Sequence, residues 1–294
     1  MIRLIYFIII FSFIRSQGIS DFSYFGADAS AMVGSVVSSE GGSWSIAHNP
    51  ASISDIENSK FSIGGGNLFG YSWLPAYYMN SYFKLPVIGN IGIAYYQLKT
   101  RYKDMDLSSE QTLSLANSYK LQNDNNSHLS FGFTMNLIRW DLGRSAGVSG
   151  DGSDGLLLGS LQSFTFDLGI QASLRGRYRF GATIKNFNSG MIGSGLSAQP
   201  LPRRIDLGVS YFPIRNLETS VSLQRLLGQN DLQIKGAIQY KLYHFFTLRM
   251  GLQANPNRFA SGFSINYGGF TFDYGFLGHP ILPATHQMQL GYSL

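Results

Sequence analysis

The chain has 294 residues, no cysteine, a formal net charge of +5, and charged residues at only 13% against 14% aromatic ones. A soluble domain carries about twice that fraction of charge, so a conventional solvated surface is a poor fit. The small positive balance, +3 once Arg3 and Arg15 are set aside (20 basic minus 17 acidic residues), argues against a nucleic-acid partner, and the absence of cysteine excludes disulfides and a lipid anchored on an N-terminal Cys.

The chain opens with Arg3, an apolar run over residues 4–11, and small or polar residues up to Ser16 and Gln17. This predicts a secretory signal peptide over residues 1–18, cut after Ser16 or Gly18. The alternative is a retained anchor, but the apolar run falls short of the roughly 20 residues that a helical span needs.

Residues 19–59 show no alternation and are rich in small residues, with Ala27, Ala29, Ala31, Gly34, Gly41 and Gly42, then Trp44 and His48-Asn49-Pro50-Ala51. From residue 60 onward the period is two. Leu129, Phe131, Phe133, Met135 and Leu137 alternate with Ser130, Gly132, Thr134 and Asn136, and Phe164, Phe166, Leu168 and Ile170 alternate with Thr165, Asp167, Gly169 and Gln171. Each such segment has one oily and one polar face. Runs of ten or more residues exceed the usual five or six of a soluble sheet and match the 9–11 of a tilted membrane strand. Asp206, Lys235, Gln239, Arg249, Gln253 and Asp273 share the polar face. An Arg or Lys facing lipid at mid-bilayer costs about 2–4 kcal/mol, so the polar face points inward.

The predicted strands lie near 60–70, 76–85, 88–98, 109–121, 127–140, 162–174, 177–188, 203–212, 215–226, 230–242, 243–254, 258–267, 268–276 and 285–294. Fourteen is an even number, which lets the last strand close on the first and leaves no edge in lipid. Loop lengths give an independent check. Connections after odd-numbered strands include the long stretches 99–108, 141–161, 189–202 and 277–284, while those after even-numbered strands are short, as at Pro86-Val87, 122–126, Pro213-Ile214 and Gly268-Gly269. Short periplasmic turns alternating with longer external loops are the rule in outer-membrane barrels. In the last strand Met288, Leu290, Tyr292 and Leu294 alternate with Gln287, Gln289, Gly291 and Ser293. The expected fold is therefore all-β, a transmembrane antiparallel β-barrel of about fourteen strands over residues 60–294, with residues 19–59 as an N-terminal hatch (plug) in the lumen, located in the outer membrane of a Gram-negative bacterium and in contact with its lipid.

With these features the sequence resembles the FadL-like outer-membrane proteins and, within them, the PorV/PorQ branch. The resemblance rests on the small-residue stretch from Ala27 to Val37, the tripeptide Asn49-Pro50-Ala51, the strand entry Leu201-Pro202-Arg203 running on to Leu207-Gly208-Val209, and the closing His279-Pro280, His286 and Leu290. The stretch Ala31-Met32-Val33-Gly34-Ser35 departs from the family's Gly-Met-Gly-Gly-Ala pattern, and Ser43-Trp44-Ser45 stands where an Asp-rich run is usual. What the branch implies is a role in or alongside type IX protein secretion, with secretion-system proteins and their cargo as partners. What the wider family implies is a channel for hydrophobic small molecules such as long-chain fatty acids. Fold alone does not choose between them.

Asn49, Pro50 and Ala51 are the candidate hatch motif, the Asn amide bonding backbone and Pro50 setting the chain direction; the alternative is a plain turn, which Asn-Pro favours anywhere. Leu156, Leu157, Leu158 and Leu161 form the candidate contact surface on an external loop, meeting a hydrophobic ligand, a partner protein or the hatch. The neighbouring Gly150-Asp151-Gly152-Ser153-Asp154-Gly155 matches the dinucleotide fingerprint in letters only, since no βαβ unit surrounds it and its carboxylates would repel a pyrophosphate. A Ca²⁺ loop there would lack its terminal Glu. His48, His128, His244, His279 and His286 are scattered without metal-ligand spacing, no catalytic triad or carboxylate pair follows from spacing, and neither cofactor nor enzymatic activity is expected. Asp167, Asp206, Lys235, Arg249 and Asp273 are expected to pair across the lumen and hold the hatch.

Overall fold

The computed structural model describes residues 24–85, 89–102, 105–145, 147–150, 153–193, 198–227 and 232–294. Fourteen antiparallel strands form a closed barrel: β1 (Lys60–Asn67), β2 (Pro75–Phe83), β3 (Asn90–Tyr102), β4 (Met105–Asn123), β5 (Ser127–Asp141), β6 (Ser160–Leu174), β7 (Tyr178–Lys185), β8 (Arg204–Ile214), β9 (Leu217–Leu226), β10 (Leu232–Tyr243), β11 (Phe246–Ala254), β12 (Arg258–Tyr267), β13 (Phe270–Leu277) and β14 (Thr285–Ser293). Each pairs with its neighbours in sequence, and β1 closes on β14 from Lys60↔Ser293 to Asn67↔His286. Every ladder bond is thus satisfied within the wall, which hydrocarbon demands. The helices of the described residues are all too short and too polar to cross a membrane.

The predicted alternation decides the two faces. Leu113, Leu115, Leu137, Phe164 and Ile170 are exposed on the outer face, while Ser114, Ala116, Thr134, Thr165 and Gln171 are buried on the inner one. Outward aromatics gather near the short connections, where Tyr178 stacks on Tyr211 with centroids 5.1 Å apart, Tyr243 on Phe245 at 5.5 Å and Phe270 lies 4.7 Å from Tyr292. Such girdles mark the interface where amphipathic rings prefer to sit.

The loop parity also appears in the structure. Long connections at 142–159 and 186–203 follow odd-numbered strands, and two-residue turns at 215–216, 244–245 and 268–269 follow even-numbered ones. By the rule above, the turn end faces the periplasm and the loop end the exterior. Two boundaries differ from expectation. Most of the expected loop 99–108 is strand, because β3 runs on to Tyr102 and β4 begins at Met105; its charges suggested a loop, yet Lys99 and Arg101 pair with Asp106 across the ladder at 2.7 and 3.0 Å. The expected loop 189–202 contains a two-residue ladder of Met191–Ile192 against Gln199–Pro200. The expected signal peptide, residues 19–23 and the turn at Pro86-Val87 lie outside the described residues.

Residues 24–56 touch strands all round the closed wall, which is possible only from within. A Cβ on Gly275 would meet Ala27, on Gly262 Ala31, on Gly251 Met32, on Gly208 and Gly181 Val37, on Gly169 Asn49 and Pro50, on Gly132 Pro50 and Ala51, and on Gly92 Ile46. Eight strands therefore carry an inward glycine where the segment passes. A mid-strand glycine marks close approach of another backbone, and here that backbone is the segment itself. The segment forms α1 (Ala27–Ser30), α2 (Ser45–His48) and a 3₁₀ turn over Pro50–Asp55, too little helix to pair its own carbonyls.

The wall's amides and hydroxyls supply the missing partners. Gln287 donates to the Tyr24 carbonyl at 2.7 Å, Ser220 to Ser35 at 2.8 Å, Gln171 to Ser39 at 2.6 Å, Tyr82 to Ser43 at 2.8 Å, Ser118 to Ala51 at 2.9 Å, and Asn90 to Ile53 and Ile56, each at 2.8 Å. A buried unpaired carbonyl costs about 1–3 kcal/mol. An inner face of neutral donors is thus the chemistry that an irregular luminal chain requires.

Candidate functional site

Asn49 sits between α2 and the 3₁₀ turn. Its Oδ1 accepts the Ala51 N–H at 3.0 Å and caps that turn, while Nδ2 donates to the Val37 carbonyl at 2.6 Å. Pro50 occupies the first position of the turn, where a missing N–H is harmless. Asn49 and Pro50 fill the hollow left by Gly169, and Pro50 and Ala51 that left by Gly132, two glycines paired across β5 and β6.

The segment separates two chambers. Toward the exterior lies a cavity of about 160 Å³ whose apolar floor includes Phe25, Ile46, Ala47 and Tyr96, with Leu98, Ile138 and Leu201 around it and Glu110, Asp167, Lys185 and Arg204 at its edges. The Phe25 and Tyr96 rings lie 4.7 Å apart, and Lys185 donates to the Ala47 carbonyl. Sequence reading singles out Asp167 and Leu201 for other reasons, but not Phe25, Ile46 or Tyr96 of the floor. Their signal is that β2 and β3 turn aromatics inward, since Tyr78, Tyr82 and Tyr96 occupy the inner-face positions of those strands.

Toward the periplasm lies a polar chamber of about 250 Å³, lined among others by Asp28, Glu40, Trp44, Lys60, Arg249 and Asp273. At this mouth a chain of ion pairs ties the segment to three strands. Lys120 of β4 approaches Asp55 at 3.9 Å, Arg179 of β7 binds Asp55 at 2.5 Å and Glu40 at 3.1 Å, and Lys241 of β10 approaches Glu40 at 3.8 Å. Of the five groups expected to pair across the lumen, four pair instead with neighbours along the wall. Asp167 accepts from Asn136 and from the Asn186 N–H, Asp206 meets Arg204 at 3.3 Å, and Arg249 meets Asp273 at 3.7 Å. The reason is proximity on the inner face: Arg204 and Asp206 are successive inward residues of β8, Asn136 and Asp167 lie on adjacent strands, and Arg249 and Asp273 flank β12, whereas the segment fills the space between opposite walls. Lys235 does reach the segment, its ammonium 5.1 Å from the Tyr24 ring centroid, with the Arg258 guanidinium at 5.2 Å from the same ring.

The structure does not bring the four loop leucines together. Leu156, Leu157 and Leu158 are exposed on a hairpin-like arm held by Ser145 N–H to Leu156 and Leu158 N–H to Gly143, whereas Leu161 lies in β6 opposite Trp140. At the arm's tip the hydroxyl and backbone N–H of Ser149 hold the Asp154 carboxyl below the usual carboxylate range. Among the described residues no grouping of His, Asp and Glu could hold a metal ion.

No protein-family model and no curated protein matches the sequence. Solved structures do match over almost the whole chain. The toluene transporter TbuX of Ralstonia pickettii is similar with a TM-score of 0.63 at 12% identity, covering 93% of this chain and 98% of that one. The toluene transporter TodX of Pseudomonas putida gives 0.62 at 15%, covering 93% and 98%. A Pseudomonas aeruginosa FadL homologue gives 0.54 at 9%, covering 91% and 98%. The alternating faces, the closed fourteen-strand wall and these matches together give the chain the fold of FadL-type outer-membrane transporters and place it in the outer membrane.

Proposed function

We propose that the protein passes compact hydrophobic molecules across the outer membrane, with residues 1–18 as a removable signal peptide, 19–59 as a hatch and 60–294 as the barrel. The observation that carries this reading is the external cavity. It has an apolar, partly aromatic floor made by the luminal segment itself, and its 160 Å³ is comparable with the roughly 150 Å³ of an engineered cavity that takes up benzene. Pockets of this kind, mostly apolar with a few convergent polar groups, are the usual form of a small-molecule site. The names of the similar structures, two toluene transporters and a FadL homologue, support the same direction. Type IX secretion is the competing reading and predicts partner proteins on loops 141–161 and 189–202.

The test is permeation of radiolabelled toluene and of a long-chain fatty acid into proteoliposomes, beside Leu98→Arg, which puts a charge at the cavity wall. Protein-dependent entry of either probe, lost in the variant, is the expected result. Entry no faster than in protein-free liposomes, with secretion proteins co-purifying from intact membranes, would overturn the reading in favour of export.

A further inference from the structure

The outward face of β3–β6 changes character abruptly toward the loop end. Tyr95, Leu113, Leu137 and Phe164 stand side by side in register and face lipid. Two residues further along each strand the adjacent row is Gln97, Gln111, Arg139 and Gln162, and the next begins with Lys99. Beyond it lies Arg101, bound with Lys99 to Asp106. At the corresponding end of β11–β14 the outward residues are Leu252, Phe259, Phe276 and His286. The polar terrace therefore belongs to one side of the barrel.

Outward charges mark where strands leave hydrocarbon, so this terrace stands in the headgroup layer of the outer leaflet. Among the described residues it holds three cations, Lys99, Arg101 and Arg139, against two carboxylates, Asp106 and Asp141, a local balance of +1 (3 minus 2). Asp106 engages Arg101 only through Nε, and Asp141 reaches one amino nitrogen of Arg139 at 3.8 Å. A guanidinium carries five donors in a fixed fork, so both arginines have donors to spare, and their side chains are 42% and 49% exposed. Arginine forks suit phosphate in particular, and basic clusters at membrane level recognise anionic headgroups. The amides of Gln111 and Gln162 flank Arg139 and suit the hydroxyls of sugars.

We propose that this terrace binds the phosphorylated sugar headgroup of an outer-leaflet glycolipid, whose acyl chains lie against the apolar rows below. The terrace lies on the outer wall, apart from whatever passes through the lumen. The experiment is native mass spectrometry of the full-length barrel in mild detergent, titrated with bis-phosphorylated lipid A, its dephosphorylated form and phosphatidylethanolamine. The wild type is expected to retain the phosphorylated glycolipid at least about tenfold better than either other lipid, and K99Q/R101Q/R139Q to lose that preference. R225Q, which removes an outward cation on β9, should keep it, and millimolar inorganic phosphate should not displace the lipid. Heat-modifiable gel mobility reports folding for each variant, and R139Q alone gives a partial loss should the triple variant fold poorly. Equal retention of phosphorylated and dephosphorylated lipid by the wild type, full retention by folded charge variants, or displacement by inorganic phosphate would overturn the proposal.

Discussion

If the inward glycines seat the luminal segment, then Gly251→Val should unseat it while leaving the wall intact. A Cβ at Gly251 would lie 2.7 Å from the Met32 carbonyl carbon and 3.0 Å from its Cα. Those are backbone atoms that no side-chain rotation can move, and valine adds two further methyl groups. Overpacking of this kind costs about 1–3 kcal/mol, and that range corresponds to a roughly 5–150-fold rise in the unseated population. The wall itself loses nothing, since β-branched residues suit strands. The assay uses the absence of native cysteine: Ala29→Cys, at a fully buried position beside Met32, is the only thiol, and its labelling by a membrane-impermeant maleimide reports exposure of the segment. Labelling and planar-bilayer conductance should both rise in Gly251→Val. Gly236 is the control: it lies on the neighbouring strand but faces outward, paired with the exposed Leu252, and a Cβ there meets nothing nearer than the Ser220 carbonyl at 3.9 Å, so Gly236→Val adds the same side chain without touching the segment and should behave as the parent. Unchanged labelling in a folded Gly251→Val barrel, or an equal rise in the control, would refute the seating argument.

Three further outcomes follow from the same geometry. Glu40→Gln with Asp55→Asn breaks the ion-pair chain at the periplasmic mouth; the pairs to the half-exposed Glu40 contribute about 0.2–1 kcal/mol each and the more shielded Arg179–Asp55 pair adds to them, so conductance should become more frequent by at least a few-fold, and 1 M salt, with a Debye length of about 3 Å, should bring the wild type only part of the way toward the variant. Asn90→Ala orphans the buried carbonyl of Ile56 and takes one of two donors from that of Ile53, which keeps the Ile56 N–H; an orphaned carbonyl costs about 1–3 kcal/mol, so the variant should raise segment labelling without abolishing the heat-modifiable barrel. The Asp154 carboxyl is depressed by Ser149, so its support of the arm is complete above the usual carboxylate range and is lost only as pH falls through its own lower value; hydrogen exchange at Val148 and Ser149, whose N–H groups it accepts, should stay slow in mild acid and quicken below that range.

The strand count and the direction of each face could be read in the sequence because a membrane barrel imposes period two on every strand and forbids an edge. Phe131, Leu137 and Phe164 take their side from the alternation of their own strands alone, and loop parity then gives the orientation. The end of β3 was misread because Lys99, Arg101 and Asp106 resemble a loop when taken singly, and only the ladder shows them paired. The candidate tripeptide could be located but not its partners: nothing local to Asn49 reveals that Val37 lies within reach of its amide. Gly132 and Gly169, or Gly181 and Gly208, each read alone as a weak strand position; register pairs them, and the segment crossing them explains why both lack a side chain.

Alternation along one chain is a local property, so the sequence by itself determined the barrel, its strand number and the polarity of its two faces. Where a non-repeating segment rests inside that barrel depends on contacts between residues up to 263 positions apart, as in the bond from Gln287 to Tyr24, and no local pattern encodes those. The external cavity, the ion-pair chain at the periplasmic mouth and the polar terrace on β3–β6 were therefore decided only by tertiary structure, because each is assembled from strands that closure brings side by side.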